Sequence, residues 1–192
     1  ASDVYKRQRL PRASLAPEPR HRVVTLTPEF DVLAERIVAR LTTEGRTLGI
    51  AESLTGGAVV AELVGIPGAS AVVRGGIVAY DTALKASLLG VAPALLDAHG
   101  PVHPAVAAAM AEGVRSAAAI DAHPADLGVA TTGVAGPDAQ DSAPVGLVYV
   151  AVADAAGTVV REHRFVGDRA AIRAQAAGAA LSLLHERLDG ST

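Results

Sequence analysis

Ser53 is the first residue whose type and position could do chemistry. It lies in the sequence SLTGG (53–57), directly after the apolar run TLGIA (47–51), which is a pattern typical of a strand-to-helix turn. At such a turn, free backbone N–H groups around Thr55 to Gly57 could hold an oxyanion or a phosphate while the serine hydroxyl attacks a carbonyl. The same pattern also fits a structural role in which Ser53 caps the helix and the glycines only form the turn.

Lys85 is the second candidate, because it is the only lysine outside residues 1–22 in a chain with 17 Lys and Arg residues. A lysine can lose its proton when it is desolvated and then act as a base, which an arginine cannot do. The alternative is a solvated cation on a short helix. Tyr80 stands nearby at the end of a predicted strand, where it could assist Lys85 or pack as a core ring with its hydroxyl at the rim.

A second glycine-bearing loop follows another buried strand, LGVATT (127–132), and runs through Thr132, Gly133 and Gly136. Ligands bind outside the carboxyl ends of strands in open α/β sheets, so we expect both loops to border one crevice if their strands are parallel neighbours. Arg169 and Arg173 lie one helical turn apart near the chain's end. They could clamp an anion, or they could belong to a solvated helix face.

The elements that must position these residues alternate in type along the chain. Thr27 and Pro28 begin a helix that ends before Gly45, and His103 and Asp168 are expected to cap later helices. The pattern predicts one α/β domain with a mixed sheet and helices on both faces. The strands are predicted at 47–51, 71–80, 127–132, 145–154 and 158–165, and the remaining helices at 58–64, 83–89, 93–98, 104–119 and 169–187.

Composition limits the function classes. A chain of 192 residues without cysteine predicts one domain and excludes disulfides and thiolate zinc sites, and the histidines have no ligand-like spacing, so we expect no metal. No apolar run is long enough to cross a membrane, which favours a soluble, cytoplasmic protein. With 3% aromatic residues, and 11 cationic against 18 acidic residues beyond residue 22, the chain offers no nucleic-acid platform.

Residues 1–22 are basic and contain three prolines, and they lack an apolar face that could pack on a domain. Their first residues, ASDVYKRQ, resemble translated sequencing-adapter sequence. We interpret residues 1–22 as a disordered or artefactual leader. A basic arm for nucleic acid or a membrane is the alternative.

The chain from about Pro28 to Leu188 resembles the CinA C-terminal domain family, whose stand-alone members are nicotinamide-nucleotide amidases. Leu54 and His103 stand where the family usually has cysteine and serine, and the loop 138–143 lacks the usual glycines and lysine. The matching segments, in order, are AESLTGG (51–57), GIPGAS (65–70), GIVAYDTALKASLLGV (76–91), GPVHPAVAAAMAEG (100–113), TTGVAGP (131–137), PVG (144–146) and FVGDRAAIRAQA (165–176).

This resemblance implies a three-layer α/β/α domain over residues 27–188 that converts nicotinamide mononucleotide to nicotinate mononucleotide and ammonia in pyridine nucleotide salvage. It implies a Ser–Lys mechanism without a cofactor and, by family analogy, a homo-oligomer. The catalytic residues carried over are Ser53, Lys85 and Tyr80. The expected substrate-binding residues are Glu52, Thr55, Gly56, Gly57, Thr132, Gly133, Gly136, Arg169 and Arg173. The alternative is a non-catalytic nucleotide-binding or protein-interaction domain of the competence/damage-inducible type.

Overall fold

The computed structural model describes residues 28–140 and 143–190. The predicted leader at 1–22 lies outside these residues. Within these described residues, six α-helices and five strands follow the predicted order. They are α1 (Pro28–Glu44), β1 (Leu48–Glu52), α2 (Ala58–Val64), β2 (Val73–Val78), α3 (Thr82–Leu89), α4 (Pro93–His99), α5 (Pro104–Ala117), β3 (Leu127–Gly133), β4 (Leu147–Asp154), β5 (Gly157–Arg164) and α6 (Arg169–Asp189).

The five strands form one mixed sheet in the order β2-β1-β3-β4-β5. Strand β1 pairs in parallel with both β2 and β3, whereas β3, β4 and β5 are joined by antiparallel pairing. The predicted α/β class with a mixed sheet is confirmed. The carboxyl ends of β1, β2 and β3 therefore lie at one edge of the sheet, and this edge carries the loops singled out above.

Two apolar cores cover the two faces of the sheet and make the domain three-layered. Helices α1, α2 and α6 pack on one face around Leu48, Ile50 and Leu184. Helices α3 and α5 pack on the other face around Ala51, Met110 and related residues. None of the described helices combines the length and the hydrophobicity that a membrane crossing requires.

Small residues let α5 approach the sheet closely. A Cβ atom added at Gly128 in β3 would lie 2.0 Å from the carbonyl oxygen of Ala111, so only glycine fits there. The high alanine content of this face is thus a packing requirement. Gly128 lies at the beginning of β3; at the other end of the strand, Thr132 Oγ1 donates to the Pro101 carbonyl in the loop that precedes α5.

The elements differ from the predictions mainly at their ends. The predicted strand 71–80 begins only at Val73, because residues Ala69–Ala71 form a single 3-10 turn after Gly68, which has φ 90°. It ends at Val78, and the carbonyl of Ala79 accepts a hydrogen bond from the Lys85 side chain instead of a neighbouring strand. The predicted caps of α5 and α6 are confirmed: His103 accepts from the Ala105 N–H and Asp168 from the Ala171 N–H. Thr27, predicted as the N-cap of α1, lies outside the described residues.

Candidate active site

The two glycine-bearing loops border one cavity of about 330 Å³, as expected from the parallel pairing of β1 and β3. The β1–α2 loop (residues 53–57) forms one side and the loop after β3 forms the other. A third side comes from Tyr80 and from Arg169 at the start of α6. The cavity is lined by Ser53, Leu54, Tyr80, Gly133, Val134, Ala135, Gly136, Asp138, Gln140 and Arg169.

Ser53 and Lys85 meet below this cavity. Lys85 Nζ donates a hydrogen bond to Ser53 Oγ at 2.9 Å and a second one to the Ala79 carbonyl oxygen at 2.8 Å. Only 1% of Lys85 is exposed, and Ser53 is 8% exposed at the cavity wall. The two hydrogen bonds hold the lysine nitrogen in one position against the serine oxygen.

Burial governs the charge state of Lys85. It lowers the pKa of the lysine from 10.5 to about 8, although the nearby Asp81 carboxylate raises it. No carboxylate among residues 28–140 and 143–190 forms an ion pair with Lys85. At pH 7.5 a group with such a pKa is neutral in roughly a quarter of the molecules, against about a thousandth for an unperturbed lysine. Lys85 can therefore accept a proton at neutral pH.

Glu52 has a structural partner that the sequence did not indicate. Its carboxylate is 1% exposed and accepts hydrogen bonds from the N–H groups of Gly57, Val59 and Val60 at 2.9, 3.2 and 2.8 Å. These are the free donors at the beginning of α2, where a negative charge is stabilised. Glu52 and the Gly57 N–H, both predicted to bind substrate, thus bind each other in this structure.

Ser53 is not the N-cap of α2, because Glu52 binds the first N–H groups of that helix. The same cap reduces the number of free backbone N–H groups in the loop that could bind an oxyanion. The Gly57 N–H is bound by Glu52, and the Gly56 N–H donates to the Ser53 carbonyl at 3.2 Å. Within the described part of the chain, the N–H groups of Leu54 and Thr55 have no hydrogen-bond partner. Of these two residues only Leu54 lines the cavity.

The two threonines predicted to bind substrate, Thr55 and Thr132, form hydrogen bonds through their hydroxyl groups within the protein. Thr55 is fully buried, and its Oγ1 lies 2.7 Å from Thr131 Oγ1. Thr132 Oγ1 donates to the Pro101 carbonyl oxygen at 2.7 Å and is also buried. Thr131 and Thr132 point to opposite faces of β3, because successive side chains of a strand alternate. Neither Thr55 nor Thr132 offers its hydroxyl to the cavity.

The side-chain hydrogen bonds of Lys85 within the described residues go to Ser53 and Ala79 and not to Tyr80, so the expected direct positioning of the lysine by the Tyr80 hydroxyl is not seen. Tyr80 is 60% exposed, and its hydroxyl accepts a hydrogen bond from Arg169 Nη2 at 2.9 Å. The physical reason is that β2 has ended, so the Ala79 carbonyl turns inward to Lys85 while the Tyr80 ring turns outward. Arg169 Nη1 also donates to the Gly136 carbonyl at 2.8 Å, so the guanidinium joins two sides of the cavity.

Arg173 was predicted to bind an anion together with Arg169, but in the structure it binds backbone carbonyl groups. Its Nε donates to the Leu54 carbonyl oxygen at 2.9 Å and its Nη2 to the Thr55 carbonyl oxygen at 2.8 Å. It does not line the cavity, whereas Arg169 does. One turn of helix separates the two side chains, and the structure directs one to the cavity and the other to the loop backbone.

Some residues in or beside the cavity had no sequence signal strong enough to identify them. Asp138 and Gln140 line the cavity from the loop 138–143, which the family resemblance identified only as a departure. Thr131 was missed because a threonine inside a buried strand usually only fills space. The Ala79 carbonyl was missed because residue type does not indicate where a backbone oxygen points.

Comparison with known proteins identifies the family of this chain. The sequence profile of the CinA C-terminal domain family matches residues 30–188. The chain belongs to the CinA C-terminal domain family. A CinA-like protein of Frankia casuarinae is 47% identical over 160 residues, which are 83% of this chain and 36% of that protein. A CinA-like protein of Geobacter sulfurreducens is 45% identical over 165 residues, which are 85% of this chain and 39% of that protein. The chain thus spans well under half the length of these relatives.

Solved structures of the CinA superfamily have the same fold. A competence/damage inducible protein from Agrobacterium tumefaciens superimposes with a TM-score of 0.78 at 34% identity, over 85% of this chain and 98% of that one. A CinA superfamily protein from Klebsiella pneumoniae gives a TM-score of 0.78 at 31% identity, over 84% of this chain and 98% of that one. The predicted three-layer fold of the CinA C-terminal domain is confirmed.

Proposed function

We propose that this CinA-family domain is an amidase that hydrolyses the carboxamide of nicotinamide mononucleotide to nicotinate mononucleotide and ammonia. The observation that carries the proposal is the buried contact of 2.9 Å between Lys85 Nζ and Ser53 Oγ at the wall of a cavity. A hydroxyl held against an amine with a lowered pKa is an activated nucleophile. The substrate follows from the family resemblance.

The proposed reaction proceeds through an ester on Ser53. Neutral Lys85 takes the proton of the Ser53 hydroxyl as Oγ attacks the carboxamide carbon, and the substrate oxygen becomes negative. The N–H group of Leu54, a residue that lines the cavity, stabilises this oxyanion. Protonated Lys85 then gives its proton to the departing amide nitrogen, so ammonia leaves as the C–N bond breaks.

Water completes the cycle. Lys85 is neutral again after ammonia has left, and it accepts a proton from a water molecule that attacks the ester carbon. The bond to Ser53 Oγ breaks, the oxygen takes the proton back from Lys85, and the carboxylic acid is released and ionises to nicotinate in solution. The sum is amide plus water giving carboxylic acid plus ammonia, so no external oxidant or cofactor enters the balance.

Arg169 is the proposed ligand for the substrate phosphate. It lines the cavity, and its hydrogen bonds to Tyr80 and Gly136 leave other guanidinium donors for an anion. Tyr80 supports this guanidinium rather than the base. Gly133 and Gly136 form the opposite cavity wall, against which the nucleotide would lie.

Ammonia release from nicotinamide mononucleotide tests the proposal. We expect the purified protein to release one ammonia for each nicotinate mononucleotide formed, without an added metal or organic cofactor. Calorimetric titration with the same compound should accompany the assay. Tight binding without ammonia release would support the alternative, a nucleotide-binding module that does not turn its ligand over, and would contradict the amidase.

A further inference from the structure

Among the described residues, the charged side chains that line the cavity are Asp138 and Arg169, and their charges are opposite. They do not pair with each other. The Arg169 guanidinium donates to the Gly136 carbonyl oxygen and to the Tyr80 hydroxyl, at 2.8 and 2.9 Å. Within residues 28–140 and 143–190, the Asp138 carboxylate takes part in no ion pair and no side-chain hydrogen bond. The cavity therefore offers a free negative charge in addition to the guanidinium.

The backbone on both sides of Asp138 is held in place. Two residues before it, the Gly136 carbonyl oxygen is bound by Arg169. Two residues after it, Gln140 and Ala143 exchange two backbone hydrogen bonds, of 3.1 and 2.8 Å. The sequence here lacks the glycines and the lysine that are usual in the family, so the negative charge at this wall is a property of this chain.

The proposed substrate carries the complementary pair of charges. The ring nitrogen of nicotinamide mononucleotide is bonded to the ribose, so the pyridinium ring is a cation, whereas the phosphate is an anion. Free nicotinamide and ordinary carboxamides have no such cation. With the carboxamide at Ser53 and the phosphate on Arg169, the ring lies in the cavity that Asp138 lines, and the carboxylate attracts it.

We propose that Asp138 is a specificity-determining residue whose carboxylate favours amides on a positively charged pyridinium ring over neutral amides. This inference rests on the proposed amidase function and names the substrate class of the same site. A charge attracts without strict geometry, whereas a hydrogen bond to a ribose hydroxyl requires an acceptor in one position. Asp138 is exposed, and water screens its charge, so we expect a preference of about fivefold and not of several orders of magnitude.

The reduced, dihydropyridine form of nicotinamide mononucleotide is the matched probe, because it keeps the ribose hydroxyls and the phosphate but its ring is neutral. Calorimetric titrations of Ser53→Ala measure the binding of both forms without turnover. We expect Asp138→Asn in this background to weaken binding of the oxidised form about fivefold and to leave binding of the reduced form unchanged. Asp138→Glu keeps the charge and should retain the preference. Asp31→Asn, which removes an exposed carboxylate of α1 outside the cavity, is the control and should also retain it.

Kinetics provide the second measurement. In the otherwise unchanged protein, Asp138→Asn should raise KM for nicotinamide mononucleotide about fivefold with little change in kcat, because the ring is charged in the ground state and in the transition state alike. The effect should shrink in 0.5 M salt, which screens the attraction between exposed charges.

The results distinguish this inference from the proposed function. Equal loss of affinity for both forms in Asp138→Asn would mean that the carboxylate binds the ribose, and an unchanged preference would mean that it does not act on the ring. Either result would overturn the inference and leave the amidase intact. A wild-type protein that binds nicotinamide mononucleotide but releases no ammonia would refute the amidase, while the titrations would still decide whether Asp138 recognises the ring charge.

Discussion

Glu52 and Ser53 are neighbours in the chain, yet their side chains serve opposite faces of the sheet. Glu52 turns to the face of α2 and binds the first N–H groups of that helix, while Ser53 turns to the face of α3 and contacts Lys85. Successive side chains of a strand point to opposite faces of the sheet, and this alternation separates the two side chains at the carboxyl end of β1. One residue therefore holds the loop in place, and the next can react within it.

Loss of the Glu52 charge should cost stability. Glu52→Gln keeps the shape but removes the negative charge at the start of α2 and turns an acceptor oxygen into a donor. We expect the free energy of unfolding to fall by about 1–3 kcal/mol in urea titrations. Glu35→Gln, on the exposed face of α1, is the control and should change it by less than about 0.5 kcal/mol. Equal stability of both variants would show that the cap contributes nothing.

The pH dependence of the reaction should report Lys85. The base must be neutral, so kcat/KM should rise about tenfold per pH unit below pH 8 and level off above it, following the pKa of about 8. Initial ammonia-release rates between pH 6 and 9.5 measure this profile. A profile that stays flat across this range would contradict a lysine base.

Lys85→Arg is the matched variant for that profile. It retains the positive charge but cannot become neutral, so its activity should fall as far as that of Lys85→Ala, by several orders of magnitude. Robust turnover by Lys85→Arg would mean that the residue only attracts an anion.

Lys85 should also make the protein less stable than a neutral side chain would. Its pKa is lowered on folding, so the folded state disfavours the proton, and this cost is greatest below pH 8, where both states are protonated. We expect Lys85→Met to be more stable at pH 7 by about 1–3 kcal/mol, with the difference shrinking as the pH approaches 10. Denaturant titrations at pH 7 and pH 10 measure both values. A less stable Lys85→Met at pH 7 would contradict this sign.

Arg169 should affect binding of the phosphate. We expect Arg169→Gln to raise KM for nicotinamide mononucleotide about 10- to 100-fold with a smaller effect on kcat. Nicotinamide riboside, which lacks the phosphate, is the control substrate, and its kcat/KM should change little. An equal loss of kcat/KM for both substrates would indicate that Arg169 maintains the shape of the cavity and does not bind the phosphate.

The sequence identified Ser53 and Lys85, which the structure brings into contact, better than it identified the contacts of the residues around them. Ser53 and Lys85 could be found because a serine at a strand end and a single retained lysine are unusual in type and place, and family motifs cover both. Other contacts could not be predicted, because they depend on which groups the folded chain brings near; these are the contacts of Glu52, Tyr80, Thr132 and Arg173. The element ends at Val73 and Val78 were missed for the same reason: a local turn and a side-chain bond to Ala79 outweigh the apolar strand pattern.

The central claim is that Ser53 is the nucleophile, and ammonia release by Ser53→Ala tests it most directly. Ser116→Ala, on the exposed surface of α5, is the matched control. We expect Ser53→Ala to keep the circular dichroism spectrum and melting temperature of the wild type and to lose several orders of magnitude in ammonia release from nicotinamide mononucleotide, while Ser116→Ala remains active. Ammonia release by folded Ser53→Ala at a rate near that of the wild type would contradict the account.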